Sequence, residues 1–303
     1  MSGMVNNFYY GKAGQADFTP DQMPTSRVQL FFEMLRVHFS GLFGINLFYI
    51  LFCIPAIAWT LMTMQVMMLP EEVAGVAPVM TDLIPMYLLI MVPCLALCGV
   101  GAPGLMYVLR NWARDQHAFT FSDFRDNVKV NWKNGLIVGA INGLSLVITY
   151  VGMRFYSDMA HQNVIFIIPQ TLVMIMCVFW WMMNMVIYPM MVSYDMKLSY
   201  LIKNSAIITM ARLPWAALML VASLVPIILA LVFGLHIYAM LVVGLFYLAV
   251  GFALTGLIYA SFANACFDKF LNPRIEGAPV GMGLRDPNID DDVDDIEDPN
   301  PIT

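Results

Sequence analysis

The chain has 303 residues, 60% hydrophobic and 12% charged, with a mean hydropathy of +0.73 and a formal net charge of −6. Soluble domains run at roughly 45–50% apolar and about 25% charged residues, so the composition excludes a water-soluble globular protein. Nor does the negative charge point to a cation-binding protein, because eight acidic residues lie in one stretch, DPNIDDDVDDIEDP from Asp286 to Pro299, without which the chain is near neutral.

Residues 1–26 form a polar extension without the short apolar core and small-residue cleavage site of a removable signal peptide, so the first membrane helix is expected to target the chain. An amphipathic helix follows, with Val28, Phe31, Phe32, Leu35 and Phe39 on one face and Gln29, Glu33, Arg36 and Ser40 on the other. Six apolar runs then meet the length of roughly 20 residues needed to cross a bilayer core: about 41–66, 84–108, 135–155, 164–192, 214–234 and 238–261. Prolines fall in or near most of them, and the fourth is expected to tilt, or to split near Pro169 or Pro189. Between the second and third runs, Thr120 and Asp123 read as a helix start. The stripe Phe121, Phe124, Val128 and Trp132 is opposed there by Arg125, Asp126, Lys129 and Lys133. A third amphipathic segment, weaker, carries Leu198, Leu201, Ile202 and Ile208. The predicted fold is an all-α integral membrane protein with a single membrane domain over 27–280. Its six spans and three surface helices follow a loose threefold pattern of surface helix, span, span, beginning near 27, 120 and 197. Residues 281–303 form an acidic tail, expected to be solvated.

Lysine and arginine resist translocation, and one assignment of sides places fourteen of the fifteen on one side, leaving only Arg154 opposite. That predicts cytoplasmic termini, with the loop bearing Glu71, Glu72 and Asp82 outside. The stretch RNWARDQHAFTFSDFRDNVKVNWKNG then becomes the largest cytoplasmic loop. Its residues Arg110, Arg114, Phe121, Phe124, Arg125, Val128, Lys129, Trp132 and Lys133 are candidates for membrane-interface anchoring or partner docking. Asp115, Asp123 and Asp126 interrupt the positive charge, so nucleic acid is not an expected partner.

Within the spans no Asp, Glu or Lys is found, whereas proton-coupled carriers tolerate such groups at a cost of roughly 3 kcal/mol or more each. Asn46, Asn142, Gln170, Asn184 and Thr255 are the main polar side chains there. Asn46, Asn142 and Asn184 are expected to hydrogen-bond between helices, with a pathway lining as the alternative. Cys94 and Cys98 share a helix face without an evident third thiol or histidine and read as small buried hydrophobes. His38, His117, His161 and His236 have no ligand spacing, and the 26 methionines are dispersed gap-fillers. The aspartates of the tail lack the glycine and terminal glutamate of a calcium loop. No metal, cofactor or nucleophile–base pair can be assembled, so the chain is expected to be non-enzymatic.

Three stretches resemble the YesL-like family of bacterial multi-pass membrane proteins, a family of unknown function. GINLFYILFCIPAIAWT matches its first helix through Asn46, Cys53, Pro55 and Thr60. The inner loop is similar through Gly101, Pro103, Arg110, Arg114, Phe121, Phe124, Trp132 and Lys133, and FANACFDKFLNPRIEGAP through Phe267, Asp268, Asn272 and Pro273. The similarity runs from roughly residue 28 to 280, leaving the N-terminal extension and the tail outside it. It implies a bacterial inner-membrane protein often encoded beside carbohydrate-uptake systems and sensor kinases, with such a membrane or cytoplasmic protein as partner. It carries over no catalytic residue. The expected function is an accessory or scaffold role, with a small-solute transporter or channel lacking a proton relay as the alternative. Oligomeric state is not legible.

Overall fold

The computed structural model describes residues 23–67, 80–233 and 237–285. The extension up to residue 22, Glu71 and Glu72 of the predicted outer loop, His236 and the acidic run from 286 lie outside the described residues. Those described are helical, with no strand among them. This is what an apolar environment demands, since a helix satisfies its backbone groups internally where water cannot.

The helices in chain order are α1 (Arg27–Val37), α2 (Phe39–Met67), α3 (Met80–Trp112), α4 (Thr120–Ala160), α5 (Ile167–Met191), α6 (Leu198–Ala211), α7 (Leu213–Val232), α8 (Ile237–Phe246) and α9 (Phe252–Phe270). A π turn, Tyr247–Gly251, joins α8 to α9, so these form one sixth span. Six helical stretches are long and apolar enough to cross a membrane. The bundle is built around α3 and α9. α3 packs on α2, α4 and α9, and α9 also packs on α5 and α2.

The tightest packing is between α3 and α4. Gly135, Gly139 and Gly143, four residues apart, fall on one face of α4. A Cβ at Gly139 would lie 2.4 Å from the Leu95 carbonyl oxygen, and one at Gly99 would lie 2.3 Å from that of Gly135. Membrane helices gain no hydrophobic drive from one another in lipid, and small residues let their backbones approach instead.

Three features depart from the sequence expectations. The second surface helix and the third span are one continuous helix of 41 residues, about 60 Å long at 1.5 Å per residue. Asn134 and Gly135 at the junction do not break it, Gly135 being packed against the Gly99 backbone, and its first half runs beside the end of α3, where Gly104 meets Phe124 and Val128. In contrast, α1 and α2 are separated by His38, and α6 and α7 by Arg212. Next, neither proline splits the fourth span. Pro169 sits in the first turn of α5, where a missing N–H costs nothing, and Pro189 in its last, where the Ser193 hydroxyl donates to its carbonyl at 2.5 Å. Lastly, α1 buries Leu30 and Met34, while Val28, Phe32 and Phe39 are exposed. The predicted stripe is thus divided, with Phe31 and Leu35 at the edge of the core.

Burial is uneven along the bundle. In α5 all residues from Met182 to Met191 are buried, whereas none from Ile167 to Trp181 is. Buried residues of α2, α3 and α4 crowd toward the same end. That end also carries α1, the α3–α4 connection, the α5–α6 connection and the segment after α9, tied together by side-chain bonds described below. It is called here the basic end.

Candidate functional site

The buried asparagines are engaged between and within helices. Asn46 in α2 is fully buried, and its Nδ2 donates to the carbonyls of Tyr247 and Leu248, each at 3.0 Å. Its Oδ1 accepts from the backbone N–H of Ala253 at 3.0 Å. A π turn disturbs the regular i→i−4 ladder, and this one amide supplies both donor and acceptor to the disturbed stretch. Asn142 Oδ1 in α4 accepts from Trp180 Nε1 in α5 at 2.8 Å, and Asn184 Nδ2 donates to the Trp180 carbonyl. Asn184 Oδ1 is buried without a hydrogen-bond partner among the described residues.

The residues predicted as one cytoplasmic docking or interface set are separated by the fold. Phe124 is buried against Phe48 and Phe52 of α2, and Val128 is half-buried beside Gly104. Phe121, Arg125, Lys129, Trp132 and Lys133 remain exposed along α4. Arg125 pairs with Asp126 and lies over the Phe121 ring, while Lys133 lies over Trp132. These pairings are solvent-exposed and contribute little stability. They leave a basic, aromatic strip open to lipid headgroups or to a partner. Asp123 Oδ2 accepts from the Phe119 N–H at 2.9 Å, half of the expected capping pattern, whereas Thr120 makes no such bond.

Arg110 and Arg114 instead turn into the basic end, where a polar cluster joins four parts of the chain. Arg27 of α1 pairs with Asp268 of α9, and its Nη1 donates to the Met282 carbonyl at 3.0 Å. Asn272 Nδ2 donates to the other Asp268 oxygen at 2.7 Å and also to the Pro279 carbonyl at 3.2 Å; its own Oδ1 accepts from the Tyr194 hydroxyl at 2.7 Å. Asn264 Nδ2 donates to the Arg110 carbonyl at 3.3 Å. Residues 277–285 cross the cluster as a strap. Gly283, at φ +77°, lies so close to the Arg114 carbonyl that a side chain there would be both strained and crowded.

Arg114 is only 7% exposed. Burial pulls its pKa down, opposed by the attraction of Asp268, with Arg27 adding repulsion; it remains a cation at neutral pH. Tyr194 is pushed up to about 12, chiefly by burial, with Arg110 and Arg114 pulling the other way. At the corner between α1 and α2, His38 stacks on Trp112 with ring centroids 4.5 Å apart, and burial holds its pKa below the ordinary value.

Sequence reasoning selected Arg110 and Arg114 but grouped them with the exposed strip. It left Arg27, Tyr194, Asp268 and Asn272 outside any site. The last two were visible only through the family resemblance, and the meeting of residues more than 200 positions apart left no local signal. A third thiol also joins Cys94 and Cys98, since Cys53 of α2 packs in the same small buried cluster. Even so, no three His, Cys, Asp or Glu side chains among the described residues are grouped so as to hold a metal ion.

No curated protein and no solved structure matches the chain. Over residues 42–153, which take in most of α2, all of α3 with Arg110, then Arg114 and most of α4, the chain is similar to the family described as "Protein of unknown function, DUF624".

Proposed function

We propose that the chain is a non-enzymatic accessory or scaffold protein of the bacterial inner membrane, with its basic end cytoplasmic. Its docking surface is the exposed strip of Phe121, Arg125, Lys129, Trp132 and Lys133. The observation that carries this reading is the continuity of α4. A helix of 41 residues exceeds the roughly 20 needed to span, and its surplus holds these side chains rigidly beside the end of α3. Small-solute transport is less well supported, because Asn46 and Asn142, which would line a pathway, are committed to holding helices together. The partner class, a component of carbohydrate uptake or sensing, rests on the resemblance to the YesL-like family, and the sidedness on the distribution of lysine and arginine.

The test is crosslinking and co-purification of a tagged chain from native membranes, comparing wild type with the combined R125Q, K129Q and K133Q variant. A reproducible partner that is lost in the variant, while the variant still inserts, supports docking. Absence of a partner together with saturable solute flux in proteoliposomes would replace the reading with transport. A cysteine placed in the Glu71–Asp82 loop should react with an impermeant thiol reagent outside intact cells; reaction only after lysis would invert the orientation.

A further inference from the structure

Among the described residues, the basic end holds more positive charge than its own groups compensate. Arg114 is close enough to interact with both Arg27 and Arg110, and Asp268 is the one carboxylate among the described residues that acts on Arg110 or Arg114. Both oxygens of that carboxylate already accept, one from Arg27 and one from Asn272.

Hydrogen bonding is equally short. A guanidinium carries five N–H donors, yet among the described residues the one hydrogen bond that Arg114 makes from its side chain is Nη2 to the Met282 sulfur, at 2.9 Å. Arg110 reaches Asn111 Oδ1 at 3.4 Å, and its Nε is buried without a hydrogen-bond partner among the described residues. A thioether is a weak acceptor, and a buried charge left so poorly paired is costly. Gln116 Nε2 points at the same sulfur from 3.6 Å. Donors from two different side chains therefore converge on one point, where the atom present is a poor match for them.

We propose that this point is an anion site, built by Arg110, Arg114 and Gln116 to take a phosphate group. Two guanidinium forks beside each other suit a tetrahedral oxyanion, which can accept from both at once. The charge also fits, since among the described residues the three guanidinium groups against one carboxylate leave two positive charges and a phosphate monoester carries roughly −1.5 to −2 at neutral pH. Met282 is the movable cover. It is half-buried, its thioether chain is flexible, and it stands between Gly281 and Gly283, both at positive φ. Swinging it outward frees the donors without disturbing the helices. The site stands apart from the exposed strip on α4 and does not depend on a partner docking there.

The phosphate can belong to a lipid headgroup or be free in solution. The full chain is purified in a detergent that removes bound lipid, and its melting is followed as inorganic phosphate is titrated against sodium chloride at equal ionic strength. In parallel, the chain is placed in nanodiscs of phosphatidylcholine with and without phosphatidic acid, and the lipid retained on release is read by native mass spectrometry. A saturable shift with phosphate over chloride supports a free ligand, and selective retention of phosphatidic acid supports a headgroup. In either case R110Q and R114Q should weaken binding by about tenfold. D268N, which removes the competing carboxylate, should tighten it. M282A keeps both arginines and should bind at least as well as wild type, so it decides the matter if R114Q does not fold. Equal responses to phosphate and chloride without lipid selectivity, undiminished binding in folded R110Q and R114Q, or loss of binding in M282A would overturn the site.

Discussion

Asp268 and Arg27 form an ion pair, yet the two residues are not equivalent, because Asp268 also attracts Arg110 and Arg114. Removing Arg27 leaves the carboxylate with cations still around it. Removing Asp268 leaves Arg114 between Arg27 and Arg110 with no carboxylate among the described residues to oppose them, the kind of uncompensated buried charge that costs about 3–5 kcal/mol. R27Q is expected to cost less, about 1–2 kcal/mol, near the worth of a charged hydrogen bond. Unfolding by denaturing detergent in mixed micelles should rank D268N below R27Q, and the reverse order would mean that Asp268 serves Arg27 alone. At this scale the sequence was legible in residue type rather than in role. Buried asparagines in spans are expected to bridge helices, and Asn46 does so, but its partner is a π turn in the sixth span that no local pattern announces. Arg110 and Arg114 looked like water-facing cations because their run is polar. Arg114 is covered by the strap that follows α9, and Arg110 is met by Asn264 of α9; chain segments so far removed do not declare themselves in the run itself.

Among the elements, the first, second, fourth and fifth spans start and end within a few residues of where the hydropathy places them, while the sixth runs on to Phe270. The third differs most, because the amphipathic segment from 120 and the span from 135 form one helix. The polar residues between them marked a change of environment, from bilayer to headgroups, and a helix can cross that change without a break. Glycines spaced by four on α4 were in plain view in the sequence, and they are the seam that holds α3. Their importance can be separated from glycine's general weakness in helices. A Cβ at Gly139 would collide with the α3 backbone, whereas one at Gly44 in α2 meets nothing within 4 Å. G139A should destabilise the protein by about 1–3 kcal/mol through overpacking, and G44A should stabilise it by about 0.5–1 kcal/mol by removing backbone freedom. Equal effects in an unfolding titration would show that α3 and α4 are not in close contact.

Taken whole, the molecule is held together mainly at its basic end. The apolar runs along the sequence were enough to point to a six-span helical membrane protein, because burial of backbone polar groups leaves few other solutions in lipid. Composition could not show how unevenly the spans pack, since a lipid-facing leucine and a core leucine are the same letter. Backbone amides in the open half of α5, Ile167–Trp181, should exchange hydrogen faster than those of Met182–Met191 when a short-chain detergent replaces the bilayer. Uniform exchange along α5 would contradict the uneven burial described above.

That asymmetry also assigns different duties to the two leaflets. Around the basic end the helices rest on one another, and headgroups meet a finished surface. Around the opposite end side chains such as Ile168, Leu172 and Ile175 have acyl chains as neighbours, so the lipid there is packing material. Bilayer thickness and chain order then enter the folding equilibrium directly through hydrophobic mismatch, and the protein's stability becomes a readout of one leaflet's composition far more than of the other's.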